Sequence, residues 1–315
     1  MYRLRFLPSI ASSLFFSLAL CSTTQAAART YVSVTGNDAN PCTFTSPCRL
    51  FQKGHDVVAD GGEVIALTSG GYGTLTITKN VTISGVGVSA VASPNSTEDA
   101  ITIATAGITV VLRSIIVRAF GAGTGGSGIN VTAVGNLHVK DCVISGFTNN
   151  GIFVNLTADG SYIFIKDTIM RNNDGSGIEI TTSTGTVRAS IDNCRSERNL
   201  LYGFTASNNS RVTINRSIAS GNSADGFYAF SNVSGGNSEL NCEECVSSNN
   251  LNGFDATSFS GGVATIRVSH STATNNTANG FLQTSAGVFN TLGNNLVRGN
   301  TSMNTSGTIT PITLQ

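Results

Sequence analysis

Tryptophan is absent from this chain of 315 residues, aromatic residues make up 7%, charged residues make up 11%, and the formal net charge is zero. This charge balance excludes the basic footprint of a nucleic-acid-binding protein and also an acidic tail. A β-propeller would need a repeat of about 40 residues with its own aromatic signature, and a leucine-rich repeat would need a framework of leucines. The sequence shows neither pattern, and beyond its first residues it has no apolar run long enough to span a bilayer.

The N-terminal segment has the three parts of a secretory signal peptide. Arg3 and Arg5 precede an apolar run around Leu14 to Leu20, and small residues follow at Ala26, Ala27 and Ala28. We therefore expect residues 1–28 to be removed by cleavage near Ala28. The mature chain is predicted to be secreted or periplasmic.

A glycine followed by Ile or Phe recurs at spacings of 23 to 27 residues, at Gly128, Gly151, Gly177, Gly203, Gly226, Gly253 and Gly280. A repeat of this length, made of short β-rich pieces, cannot bury its apolar side alone and must stack on its neighbours. The sequence therefore predicts an all-β fold, a parallel β-helix or solenoid of about ten coils over residues 64–315. Residues 29–63 are predicted to form an N-terminal cap.

Two apolar columns follow the glycines and change size in opposite directions. The first column grows from Ile129, Ile152 and Ile178 to Phe204, Phe227, Phe254 and Phe281. The second shrinks from Val131, Val154 and Ile180 to Ala206, Ala229 and Ala256. A close-packed interior of constant cross-section requires this compensation. The alternation places Phe227 inside and Tyr228, one residue later, in water.

Asparagine stands near the end of six successive repeats, at Asn173, Asn199, Asn222, Asn250, Asn276 and Asn300. Asparagine tolerates the left-handed conformation and can hydrogen-bond along a stack of its own kind, so this column predicts a ladder at a tight turn. We interpret these residues as structural.

Most of the cysteines are predicted to be core residues. Cys142, Cys194 and Cys245 share one column but stand two coils apart, about 9 to 10 Å by strand spacing, which is beyond disulfide reach. Cys242 and Cys245 have the spacing of a redox or zinc half-site, but no second pair completes four ligands. Core packing is favoured for both, and we predict no metal and no cofactor.

The cap is predicted to hold a disulfide and a short helix. Cys42 and Cys48 close a short loop in an exported segment, which favours a bond between them. Ser46 and Pro47 suit a helix start, and an apolar face follows at helical spacing, formed by Leu50, Phe51, Gly54, Val57 and Val58. Such a helix would cover the open end of the first coil.

Two patterns carry a resemblance to a known family. The Asn-Gly-Ile/Phe turns are followed by a pattern close to Val-x-Ile-x-Asp-Cys, as at Leu137 to Cys142, and the chain has the N-terminal runs Tyr31 to Cys42 and Ser46 to Arg49. Most of the chain resembles the right-handed parallel β-helix proteins of the pectate-lyase-like superfamily, and these runs resemble the opening segment of secreted bacterial members. Enzymes of this superfamily cleave polyuronates on the outer face of the coil. The Asn-Thr-Asp, Asp-Asp, Gly-His-Gly and Arg-Ile-Lys segments of its pectin hydrolases are absent, so no catalytic residue is carried over.

Much of the charge falls on outward positions of the second strand of each repeat. Lys140, Lys166 and Asp192 are the candidate catalytic residues there, because outward Lys and Asp on adjacent coils can perturb each other's pKa. Phe164 points outward on the same face. Phe153 and Tyr228 point outward on the strand after the glycine, and all three rings are candidates for stacking on sugars. The histidines His55, His138 and His270 are interpreted as solvated surface residues.

Three functions remain open on this evidence. Turns this short leave no room for loops that would wall a catalytic cleft, which favours an exported protein that binds polysaccharide without cleaving it. The alternatives are a polysaccharide lyase or hydrolase of a uronate-containing glycan, and a structural or surface role. The charged face also has an interpretation without any ligand, since a sheet facing water needs polar outer residues in any case.

Overall fold

A computed structural model of the chain describes residues 27–94, 97–120, 125–157, 159–182 and 184–313. The predicted signal peptide, residues 1–28, lies outside these ranges except for its last two residues. The described residues hold no helix with the length and apolarity that a bilayer crossing requires.

Thirty-two strands and one helix follow one another in the part of the chain that the structure describes. The first part contains β1 (Ala27–Val32), α1 (Phe51–Val57), β2 (Val58–Ala66), β3 (Gly70–Gly71), β4 (Leu75–Ile77), β5 (Val81–Ser84), β6 (Ala90–Ala92), β7 (Ile101–Ala104), β8 (Thr109–Arg113), β9 (Ile115–Arg118), β10 (Ile129–Ala133), β11 (Asn136–Lys140) and β12 (Val143–Ser145). The middle contains β13 (Ile152–Leu156), β14 (Tyr162–Lys166), β15 (Ile169–Arg171), β16 (Ile178–Thr182), β17 (Val187–Asp192), β18 (Arg195–Glu197), β19 (Phe204–Ser207), β20 (Ser210–Asn215), β21 (Ile218–Ser220), β22 (Phe227–Ser231), β23 (Asn237–Glu243) and β24 (Val246–Ser248). The last part contains β25 (Phe254–Ser258), β26 (Val263–Ser269), β27 (Thr272–Thr274), β28 (Asn279–Ser285), β29 (Val288–Thr291), β30 (Leu296–Arg298), β31 (Met303–Ser306) and β32 (Ile309–Pro311).

These strands form three parallel sheets that run the length of the molecule. Sheet A has 12 strands, in the order β1-β2-β5-β8-β11-β14-β17-β20-β23-β26-β29-β32. Sheet B has 10 strands and runs from β3 and β6 to β30, and sheet C has 10 strands and runs from β4 and β7 to β31. Each regular coil contributes one strand to sheet C, then one to sheet A, then one to sheet B. The predicted parallel β-helix is confirmed.

The predicted inward columns lie in one core between the sheets. Phe227 pairs in register with Phe204 on one side and with Phe254 on the other, and all three are completely buried. Their ring centroids are 5.0 Å and 4.7 Å apart and their planes are nearly parallel. Phe281 departs from the stack, because its ring lies edge-on to Phe254 and packs instead on Phe289, 4.7 Å away.

The asparagine ladder is confirmed, and its backbone differs from the expectation. In each step an amide Nδ2 donates to the Oδ1 of the next asparagine, for example Asn199 to Asn222 at 2.9 Å. The left-handed residue of this turn is the one before the ladder, as at Asn172 and Asn249. The first five ladder asparagines are buried and Asn300 is partly exposed; the ladder supplies hydrogen bonds to the turn, and the preceding residue supplies its sharp bend.

The cap contains the predicted disulfide between Cys42 and Cys48. The predicted helix start is wrong, because α1 begins at Phe51 and not at Pro47. Cys48 pairs instead as a bridge with Val32 of β1, and this extended backbone delays the helix. The carboxylate of Asp38 accepts the N–H groups of the two residues that precede α1.

The expectation that His55 is a solvated surface residue is also wrong. His55 lies on the inner face of α1 and is 2% exposed. Its Nε2 accepts the N–H of Thr78 at 3.3 Å, and burial lowers the pKa of its imidazole. The buried face of α1 therefore includes the imidazole of His55, a polar side chain that the spacing of apolar residues alone predicts to be exposed to solvent.

Candidate functional site

A shallow groove of about 620 Å³ lies on the outer face of sheet A. We call it the sheet A groove, and it is lined by Thr109, Val111, Arg113, His138, Val139, Lys140, Phe164, Ile165, Lys166, Ser190 and Asp192. These residues come from the consecutive strands β8, β11, β14 and β17. Strand pairing sets the spacing between them at about 4.8 Å per coil.

One edge of the groove is a column of charge. Arg113, Lys140 and Lys166 occupy the same register position on successive strands, and Asp192 follows on the next. The Lys166 ammonium lies 3.2 Å from the Asp192 carboxylate, which also binds Arg216. Lys140 lies 3.8 Å from Asp141, and both side chains are about half exposed. Arg113 is paired with Glu63, so each of the three cations has a carboxylate partner, and about half of each cationic side chain remains exposed.

A stack of rings lies beside the charged column. Phe164 is 39% exposed, and its ring centroid is 4.8 Å from that of His138 in the preceding coil. Tyr162, two residues before Phe164 on β14, is 44% exposed and nearly parallel to it at 6.4 Å. An exposed flat apolar surface next to hydrogen-bonding groups is what a sugar ring can stack on.

The structure places the other two predicted rings elsewhere. Phe153 is half-buried on the outer face of sheet C, where it lines a separate depression with Asn150 and Glu179. Tyr228 is also on sheet C, and the prediction that it points into water is wrong, because it is only 9% exposed. Its side chain does leave the outer face as the alternation predicts. The neighbouring rings of Tyr202, at 4.5 Å, and Phe230, at 5.4 Å, cover it.

Tyr228 belongs to a group that the sequence analysis missed, which we call the carboxyl–tyrosine cluster: Tyr202, Asp225, Tyr228 and Asp255. The two carboxyl groups come from adjacent coils and hydrogen-bond each other. Asn252 donates its amide to Asp225 at 2.7 Å, and Thr257 donates its hydroxyl to Asp255 at 3.0 Å. Both aspartates are about 5% exposed.

Burial controls the protonation of this cluster. Desolvation, together with the charge of Asp225, raises the pKa of Asp255 to about 8, and desolvation also raises the pKa of Asp225. Burial raises the pKa of both tyrosines in the same way. Two carboxyl groups in contact cannot both ionise cheaply, so they share a proton near neutral pH. Because neither carboxyl is accessible to a polymer, the pair links coils and is not open to a substrate.

A signal for the cluster is present in the register. Asp255 pairs directly with Tyr228, and Asp225 and Asn252 each stand immediately before the repeat glycine. When the outward positions of sheet C are aligned by the repeat, as the inward positions are, these residues fall on neighbouring coils. The described residues include no group of three or more His, Cys, Asp and Glu side chains arranged to hold a metal ion.

Residues 127–302 match the family model of the right handed beta helix region. The match covers more than half of the chain. The chain belongs to this family. No curated protein sequence matches it.

Solved structures agree with this right-handed β-helix. A pectate lyase, Pel9A, is 20% identical with a TM-score of 0.54, and the alignment covers 84% of this chain and 67% of the lyase. A rhamnogalacturonan lyase is 17% identical with a TM-score of 0.36 over 84% of this chain and 73% of its own. A lacto-N-biosidase from Eubacterium ramulus is 11% identical with a TM-score of 0.42, and the alignment covers 87% of this chain and 67% of the biosidase. At 20% identity the likeness to the pectate lyase shows the fold alone.

Proposed function

We propose that this β-helix protein is exported and binds an acidic, uronate-containing polysaccharide in the sheet A groove without cleaving it. The observation that carries the proposal is the column of Arg113, Lys140 and Lys166 beside the stacked rings of His138 and Phe164. The cations repeat once per coil, so a chain lying along the solenoid axis meets a new cation at each step of about 4.8 Å. Carboxylates of an extended glycan are the matching ligands.

The groove suits binding because it is preformed on a rigid sheet. The strands of sheet A are paired along their length, and no segment must become ordered around a ligand. The rings add contact area with few rotatable bonds. Ion pairs with Asp192 and Asp141 hold the two lysines near the groove and leave about half of each side chain exposed.

Cleavage of the same polymer is the second candidate function. The observation that favours it is the contact of Lys166 with Asp192 at 3.2 Å, which places a basic and an acidic group of adjacent coils at one point of the groove. A lyase needs a base at the sugar C5 and a hydrolase needs a general acid. Lys140, Lys166 and Asp192 are the residues that would supply them.

Retention and product assays separate these functions. The protein is passed over immobilised polygalacturonate, alginate and a glycosaminoglycan, with neutral dextran as the control. Two products are measured in parallel: unsaturated uronates by their absorbance, and new reducing ends by a reducing-sugar assay. We expect retention on at least one acidic polymer, no retention on dextran, and no product. If the protein bound none of the acidic polymers, the binding proposal would be wrong. If it released product and the Lys166→Gln variant did not, the protein would be an enzyme instead.

A further inference from the structure

A second cavity, of about 610 Å³, lies on the outer face of sheet B, on the other side of the short turn from the sheet A groove. We call it the arginine pocket. It is lined by Arg171, Asn172, Arg195, Glu197, Arg198, Ile218, Ser220, Gly221 and Asn249. Three guanidinium groups and one carboxylate therefore face one cavity. None of these residues was singled out by the sequence analysis, and none belongs to the sheet A groove.

The carboxylate neutralises one arginine. Arg195 donates its Nε to Glu197 Oε1 at 2.6 Å, and its second nitrogen binds the same oxygen. Glu197 lies in register between Arg171 and Ser220, yet its recorded ion-pair partner is Arg195 alone. Arg171 and Arg198 have no ion-pair partner among the residues that the structure describes. The pocket thus carries, in adjacent coils, two exposed guanidinium groups that have no carboxylate partner among the described residues.

The backbone at Arg198 supplies an independent observation. Arg198 has a φ of +53°, in the left-handed region that disfavours residues with a side chain. From Gly146 onward the same position is otherwise glycine or asparagine, at Gly146, Asn172, Gly221, Asn249, Asn275 and Gly299, all with positive φ, whereas the preceding coil has Ala119 there. Arg198 is the one arginine among these positions, and it lines the pocket together with Asn172, Gly221 and Asn249 of the neighbouring coils. Positive φ at residues with a side chain also occurs at other turns of this solenoid, as at Arg216 and Glu244, so what sets Arg198 apart is its residue type within its own column.

The packing at this turn also shows why an arginine can stand there. A Cβ at Gly221, in the next coil, would meet Cγ of Arg198 at 3.5 Å, so the arginine stem lies across the turn beside the glycine. This is an ordinary contact distance, so the stem packs against the turn of the next coil. The stem is thereby directed along the coil stack toward the pocket, where its guanidinium is exposed.

We propose that the arginine pocket binds a sulfate or phosphate ester group. The planar guanidinium fork matches the oxygens of these tetrahedral anions, and two or three arginines around one group are the usual way to hold it. The cavity exceeds a bare anion in volume, so the group is expected to be attached to a larger molecule such as a substituted sugar. This site lies on another sheet and does not depend on the sheet A groove, and either can fail without the other.

Substitution at three positions tests the site with effects in opposite directions. Arg198→Asn restores the residue type of its column, so it should stabilise the fold while it weakens anion binding. Arg171→Gln should weaken binding with little effect on stability. Glu197→Gln releases Arg195 and should strengthen binding. Arg298→Gln is the matched control, because Arg298 occupies the same column as Arg171 on the same sheet but five strands away.

Binding is measured by calorimetry at low, fixed salt with inorganic sulfate, inorganic phosphate, glucose 6-sulfate and glucose 6-phosphate, with glucose as the neutral control. Thermal unfolding is recorded for every variant. We expect one of the two ester chemistries to bind, a loss of about fivefold or more for Arg171→Gln and for Arg198→Asn, a gain for Glu197→Gln, and less than a twofold change for Arg298→Gln. The preferred ester identifies the source of the anion.

Two outcomes would overturn the proposal. The first is that no sulfate or phosphate compound binds the natural protein above the level of glucose. The second is that Arg171→Gln and Arg298→Gln weaken binding equally, which would indicate diffuse attraction to surface charge. The higher thermal stability expected of Arg198→Asn excludes misfolding as the cause of its weaker binding.

Discussion

The outer faces of sheet A and sheet C are built from the same alternation of side chains, but equivalent positions on them differ in their exposure to solvent. On sheet A, Phe164, Lys140 and Lys166 are exposed and border a groove. On sheet C, Tyr228 and Asp255 occupy equivalent outward positions and are almost completely buried. The difference lies in the neighbours, since rings and short polar side chains in adjacent coils of sheet C cover one another. An outward position therefore becomes a binding surface only where its neighbours in the column leave it uncovered.

The largest expected effect concerns β22, which is covered on both faces. Phe227→Ala removes a ring that stacks between Phe204 and Phe254, and it leaves a cavity beside Ala229. We expect the free energy of unfolding to fall by about 3 to 5 kcal/mol in a denaturant titration. Phe227→Leu is the control and should cost clearly less. A loss below about 1 kcal/mol for the alanine variant would show that the inward column is misassigned.

The next prediction compares the two outer faces directly. Tyr228→Ala removes a buried ring that contacts Tyr202 and Phe230, so it should cost about 2 to 4 kcal/mol. Phe164→Ala removes an exposed ring and should cost less than about 1 kcal/mol while it weakens glycan binding. If the two alanine variants lost the same free energy of unfolding in a urea titration, the proposed difference between the outer faces of sheets A and C would be wrong. Tyr228→Phe removes the hydroxyl and keeps the ring, so this variant should retain most of the free energy of unfolding.

A smaller effect should appear in the pH dependence of stability. The pKa of Asp255 is raised from 3.8 to about 8, so between these values the folded chain binds more protons than the unfolded chain. Stability should therefore fall as pH rises from about 4 to about 8. The raised pKa values of Asp225 and Glu179 act in the same direction.

Asp255→Asn keeps a neutral side chain at this position and should flatten that slope. Thermal melts of both proteins across the window give the difference directly. The comparison cancels the contribution of His55, whose lowered pKa acts in the opposite direction below pH 6.5. Identical slopes for the natural protein and the variant would contradict the shared proton between Asp225 and Asp255.

The repeat predicted the fold because its columns depend on local alternation and on stacking in register. Residue spacing was enough to place Phe227 inside, to align the asparagine ladder and to place Phe164 and Lys166 on one face. It was not enough for Tyr228, because burial on an outer face depends on contacts between coils. Arg198 shows the same limit, since its significance appears only when its backbone conformation is compared with that of the corresponding residues in other coils.

The most direct test of glycan binding in the sheet A groove is the affinity of Lys140→Gln/Lys166→Gln for polygalacturonate at low salt. Asp192 retains its contact with Arg216 in this variant, so the fold should be unchanged. Arg211→Gln/Arg298→Gln removes the same charge from positions outside the groove and is the control. We predict that Kd rises about tenfold or more for the lysine variant and less than twofold for the control. Equal changes in the two variants would contradict binding in the groove.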